Sequence, residues 1–178
     1  MNNVSYNLHQ NHIVRHILLP VALVVLALSV SACYSFRGGS VPEHIHTMSI
    51  ASVIDRSGFG DPTLREFCTE TLVRRFRSDN SVQLVEDNGD ARLSPILTRV
   101  QDQIVTVQTG DLESQRRIVV AVEAEYFDAV KNKVVWKRTF ENFDVYDVED
   151  ATEGRRLAAE RALRRIADDI LLAFVSDW

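Results

Sequence analysis

Apolar residues fall along this chain in three rhythms, and each predicts a different element. Between Ile17 and Cys33 they are nearly continuous and uncharged. After that they alternate or recur in threes and fours. Met48, Ile50 and Ile54 against Thr47, Ser49 and Val53 predict a first strand from Ile45 to Ile54, followed by the turn-rich loop Asp55–Gly60. Asp61 and Pro62 suit the cap and first position of a helix. Its apolar stripe is Leu64, Phe67, Cys68, Thr71, Leu72 and Phe76. Arg74, Arg75 and Arg77 stand near its C-terminal end, where cations favour the helix dipole.

A short strand, Val82–Val85, is predicted between the turns Ser78–Ser81 and Glu86–Asp90. Ala91–Val107 reads as extended, with Pro95 arguing for an edge or a bulge. Ile96, Val100 and Ile104 share one parity while Val105 and Val107 take the other, so a change of face is expected near Gln103. Thr109–Gln115 is polar enough for a surface loop. The cleanest alternation is Arg117–Asp128: Ile118, Val120, Val122, Ala124 and Tyr126 face one way, Glu123 and Glu125 the other. Lys131–Lys133 turns the chain into a hairpin whose return strand places Val134, Trp136 and Phe140 together. Asp150 and Glu153 stand in capping-box positions before a last helix. Leu157, Ala158, Ala162, Leu163, Ile166, Ala167, Ile170, Leu171 and Phe174 form that helix's apolar face, with Glu160–Arg164 and Arg165–Asp169 as pairs on its wet side.

The order strand, helix, three or four strands, helix predicts an α+β sandwich. A mostly antiparallel sheet of four to five strands carries two helices on one face. The opposite face is left free, with Glu123, Glu125, Lys137, Thr139 and Glu141 on it.

The segment before this domain sets its compartment. Ile17–Cys33 is shorter than the ~20 apolar residues a spanning helix needs, contains Pro20 and ends in small residues, as a cleaved signal does. Val30-Ser31-Ala32-Cys33 resembles a bacterial lipobox, with a plain signal peptide or an anchor helix as the other readings. On the lipobox reading residues 1–32 are removed and Cys33 carries lipid. Residues 33–44 form a tether with Gly38, Gly39, Ser40 and Pro42, and residues 45–178 are one domain. Arg15 is the only charged side chain in the removed part, so the net charge goes from −5 to −6. An acidic domain is a poor candidate for nucleic-acid binding, where a clustered basic face supplies most of the affinity, although a local basic patch could still act. With Cys33 lipidated, Cys68 stands alone, no intrachain disulfide forms, and its place in an apolar stripe reads as packing.

Catalytic patterns are missing: there is no G-x-S-x-G, H-E-x-x-H, P-loop or G-x-G-x-x-G. His44 and His46 would share one face of a strand, yet no third ligand follows at a useful spacing. The acids of Asp144–Glu153 do not fit a calcium loop. The chain is therefore read as no enzyme, with no metal and no cofactor.

The run Cys33–Pro42 followed by Ile45, Thr47, Ser49 and Ile50 resembles the start of the lipopolysaccharide-assembly lipoprotein family LptE in its Bacteroidetes-like form. The similarity continues through the first helix, Asp79-Asn80, the stretch from Ala91, and Asn132–Trp136. The resemblance implies an α/β sandwich anchored to the outer membrane, on its periplasmic side or inside a barrel lumen. There it would plug an LptD-type β-barrel that delivers lipopolysaccharide to the cell surface. It also implies lipopolysaccharide contact through basic loop residues. Arg116 and Arg117 are the candidates by charge and position at a loop edge, against a plain solvated strand start. The alternative is a periplasmic adaptor lipoprotein that activates a cell-wall synthase or joins a secretion or envelope complex.

Overall fold

The computed structural model describes residues 41–105 and 115–176. The expected signal segment, Cys33, the tether as far as Ser40, Val107 and the Thr109–Gln115 loop short of its last residue lie outside the described residues. The elements are β1 (Thr47–Ile50), β2 (Ile54–Asp55), α1 (Pro62–Asp79), β3 (Gln83–Val85), β4 (Ala91–Ile104), β5 (Gln115–Asp128), β6 (Lys133–Asp147) and α2 (Ala151–Ser176). The strands form one sheet in the order β3-β1-β4-β5-β6, with β2 pairing β4 beyond the end of β1. The long ladders β4–β5 and β5–β6 are antiparallel, whereas β1 runs parallel to β3 and β4. This is the expected α+β sandwich. Among the described residues it has six strands, because Ile54–Asp55 pairs separately.

That separation has a local cause. Ile50 pairs with Leu93 and Ile54 with Ile96, so three residues of the first segment stand opposite two of β4. One extra residue reverses the faces. Val53 is therefore buried and Ile54 is 53% exposed, contrary to the expected Met48–Ile50–Ile54 face. The same gap accommodates Pro95. The carbonyls of Leu93 and Leu97 accept from Ala51 and Arg56, so that side of β4 faces β1 and β2. By the period of two, the nitrogen of Pro95 faces it too, opposite the break where no ladder bond is required. Of the two expectations for Pro95 the edge fails and the irregularity holds: proline sits in an interior strand, opposite the one-residue break.

Two bulges correct the other parity expectations. Leu97 pairs with Val122 and Arg99 with Ala121, leaving Thr98 as the extra residue, its hydroxyl donating to the Ala121 carbonyl at 3.1 Å. The change of face therefore falls at Thr98 and not near Gln103: Leu97 and Val100 are both buried, while Ile96 stands opposite Glu123 on the other face. Tyr126 pairs with Trp136 but Phe127 with Val134, so Trp136 and Phe140 stay on the helix face while Val134 turns away, 44% exposed.

Both helices pack on one face. Asp61 caps α1 by accepting from the Thr63 N–H at 2.9 Å, and Asn80 ends it in the left-handed conformation, φ 58°. Leu64, Cys68, Thr71, Leu72 and Phe76 are buried, as the stripe predicted. Burial pushes the Cys68 thiol up to about 12. Phe76 of α1 meets Phe174 of α2 at 5.4 Å between ring centres, and Phe174 meets Tyr126 edge-on at 5.2 Å. Of the three arginines, only Arg77 lies in the last turn. Arg75 reaches Asp168 on α2, and Arg74 bonds Glu70 at 3.3 Å and Thr71 at 3.0 Å. Arg165 ignores Asp169 and reaches Asp144 on β6 at 3.2 Å. Glu153 pairs with Arg156.

Candidate functional site

β5 divides the molecule. Ile118, Val120, Val122, Ala124 and Tyr126 are 0% exposed under the helices. Its other residues build the centre of a face that no helix of the described residues covers. Register gives that face its rows: Arg117 between Gln103 and Val145, Val119 between Gln101 and Phe143, Ala121 between Arg99 and Glu141. Next come Glu123 between Ile96 and Thr139, and Glu125 between Ser94 and Lys137.

The rows differ in chemistry along the strand. In the middle, Arg99 and Glu141 are joined across Ala121, which explains why Ala121 is 1% exposed although neither α1 nor α2 lies above it. Lys137 Nζ stands 3.0 Å from Glu123 Oε1. Towards the start of β5 the face becomes apolar: Phe143 is 51% exposed, Val145 is exposed beside it, and Val119 is buried beneath. The Arg117 guanidinium lies 5.2 Å from the Phe143 ring centre and donates from Nη2 to Gln103 Oε1 at 2.7 Å. Its Nε is buried and has no hydrogen-bond partner among the described residues. The arrangement is a cation seated on an aromatic ring in an apolar patch, beside a row of paired charges.

The two arginines singled out in the sequence are not brought together. Arg116 shares parity with Ile118 and points to the helix side, where its Nε donates to Asp102 at 2.9 Å. Tyr146 donates to the same carboxylate at 2.6 Å, and burial together with that bond raises its pKa. Only Arg117 reaches the open face. Phe143, Val119 and Gln103 complete its surroundings and were not singled out. Their signal was the parity of β5, which places adjacent residues on opposite faces.

The histidines also part. His44 Nε2 lies 2.7 Å from Asp128 Oδ2, while the His46 backbone N–H donates to Asp90. Burial raises the Asp128 carboxyl, but the His44 bond and the Lys131 N–H hold it below the usual range. Among the described residues no group of three or more His, Cys, Asp or Glu could hold a metal. A cleft of about 540 Å³ lies elsewhere, by β3 and the end of α1, lined by Arg77, His46, Asn80 and Gln83 among others.

The family model described as LptE, lipopolysaccharide-assembly, matches residues 45–174. No curated protein matches the sequence. Among solved structures, a Xanthomonas campestris protein of the DUF330 family superposes with a TM-score of 0.55 at 15% identity, covering 78% of this chain and 91% of that one. The rare lipoprotein B of Shewanella oneidensis gives 0.50 at 16% identity, covering 72% and 92%. A PelC dodecamer from Paraburkholderia phytofirmans gives 0.50 at 14% identity, covering 79% and 96%. At such identities these three share the fold with this chain.

Proposed function

This chain belongs to the LptE, lipopolysaccharide-assembly family, and from that premise we propose that it is an outer-membrane lipoprotein, held by lipid on Cys33, that plugs an LptD-type β-barrel and supports its assembly. The family match across residues 45–174 carries the reading. The open sheet face supports it in chemical terms. A barrel lumen is lined by polar residues, and a face made of Arg99–Glu141 and Lys137–Glu123 pairs can exchange its ionic and hydrogen-bonding partners with such a lining. Its role is binding and assembly rather than catalysis.

Lipopolysaccharide contact is assigned to Arg117. A phosphate would meet a guanidinium already desolvated against Phe143, and acyl carbon would meet Phe143 and Val145. Arg116 would first have to release Asp102, and it stands on the opposite side of the strand.

The test is a photocrosslinker at Glu123 or Lys137 together with depletion of the protein. One large outer-membrane protein should be captured, and lipopolysaccharide should accumulate short of the surface. Normal surface lipopolysaccharide, with crosslinks only to a periplasmic enzyme, would select the adaptor reading instead. Changing Cys33→Ser should abolish outer-membrane fractionation, because the acyl chains contribute ~0.8 kcal/mol per buried methylene.

A further inference from the structure

We propose that the outer edge of β6, from Lys137 to Glu141, pairs with the same edge of a second copy of this chain, antiparallel and centred on Thr139. Among the described residues β6 is the last strand of the sheet, so every second residue turns its N–H and C=O outward. The outward residues are the odd-numbered ones. The Phe143 carbonyl accepts from Arg165 at 3.0 Å and the Val145 carbonyl from Arg161 at 3.3 Å, while the Phe143 N–H donates to Asn142 Oδ1 at 2.9 Å. That half of the edge is sealed by α2 and by its own asparagine.

The seal stops there. One turn beyond Arg161 and Arg165 the same helical stripe carries Asp169, and a carboxylate has no proton to give a carbonyl. The register continues without a shift from Asp147 to Trp136, so Lys137, Thr139 and Glu141 present their backbone groups outward as well. Among the described residues nothing bonds those groups. An edge of this kind is a template for another strand.

Charge selects a second copy as that strand. Centring on Thr139 sets Lys137 opposite the second copy's Glu141, and Glu141 opposite the second copy's Lys137. Opposite charges on facing residues stabilise a pair and like charges destabilise it. The match extends inward on both sides, because Lys137 is bonded to Glu123 and Glu141 to Arg99. Across the junction the signs read Glu123, Lys137, then the second copy's Glu141 and Arg99: negative, positive, negative, positive. All three facing positions have outward backbone groups, so the pairing is two-fold symmetric and self-complementary. Phe143 ends it on one side and the Val134–Trp136 irregularity on the other, which keeps the contact short and its formation concentration-dependent. The backbone bonds use the strand edge, while Lys137 and Glu141 also belong to the open face, so the pairing describes the protein before that face meets a larger partner.

The experiment uses the full-length chain in the envelope, carrying Thr139→Cys and oxidised before non-reducing electrophoresis. Facing residues in a hydrogen-bonded antiparallel pair lie ~5.5 Å apart, within disulfide reach. A homodimer with a 139–139 linkage by mass spectrometry is expected. Lys137→Glu alone, or Glu141→Lys alone, puts like charges opposite each other and should lower the yield roughly threefold or more. Combining the two reverses both signs and should restore it, although both internal ion pairs are then broken. The proposal is overturned if a maleimide-reactive 139 thiol gives no homodimer, if it links to a different protein, or if the double reversal fails to restore the yield.

Discussion

The two faces of β5 show that burial and rigidity are separate properties. On the helix side, Ile118 to Tyr126 are sealed by α1 and α2, which the same chain supplies. On the open side, Val119 and Ala121 are buried too, yet their cover is Phe143 and the Arg99–Glu141 pair. A helix cannot leave without unfolding the protein. An ion pair and an exposed ring can be displaced by a partner at small cost. Recognition is therefore expected on the side whose burial is reversible.

Substitutions test that contrast, beginning with the largest effect. Trp136 packs between Tyr126 and Phe140 on the helix side, with ring centres 5.8 Å from each. Trp136→Ala should cost ~3–5 kcal/mol in urea unfolding. A loss below about 1 kcal/mol would remove the distinction between the faces.

Asp144 comes next, joining β6 to α2 through Arg161 and Arg165. Burial pushes its carboxyl up, but Arg161, the Val145 N–H and Arg165 hold it below the ordinary value. A folded-state pKa below the unfolded one stabilises the protein above the unfolded value, and that contribution is lost as pH falls through the folded value. Asp144→Asn should cost about 1–2 kcal/mol near neutrality and should flatten the acid limb below pH 3.8, the carboxyl's ordinary value. Parallel acid limbs for the two proteins would refute the assignment.

On the open face, Arg117→Gln should change stability by at most ~1 kcal/mol while weakening binding of lipopolysaccharide vesicles. Arg116→Gln should do the reverse, loosening the Asp102–Tyr146 cluster and leaving binding intact. Equal binding losses in both would cancel the parity argument. The smallest effect belongs to Lys137→Gln: ~0.2–1 kcal/mol, vanishing near 1 M salt, where the screening length is ~3 Å. A salt-independent loss would mean the pair is not exposed.

What could be read from the sequence follows the range of the interactions involved. The cap at Asp61, Pro62 in the first turn and the alternation of β5 depend on neighbours within a few residues, and they stand as expected. Pro95, Thr98 and Val135 do not. Each owes its place to a strand far away in the chain, namely the break between β1 and β2, the mate Ala121, and the mate Phe127. One extra residue at each point reverses everything beyond it, so local alternation misplaced Ile54, Ile96 and Val134. The site lay between these cases. Arg116 and Arg117 looked equivalent by charge, although the strand's own period already separated them. Asp90 was read only as part of a turn. Its carboxylate accepts from the His46 and Thr47 N–H groups and the Thr47 hydroxyl, each at 2.9 Å, and so fixes the start of β1. Those bonds hold its pKa low.

The cysteine beneath α1 has a chemical consequence. Burial raises the Cys68 thiol far above neutral pH, so it holds very little thiolate there, and the thiolate is the species that attacks disulfides and oxidants. While α1 stays docked, Cys68 is therefore expected to react slowly with disulfides and oxidants. The same inertness makes it an internal clock for unfolding. A fast thiol reagent in excess, labelling before the helix can re-dock, should modify Cys68 at the rate at which α1 lifts away on unfolding, with no engineered probe needed at that position.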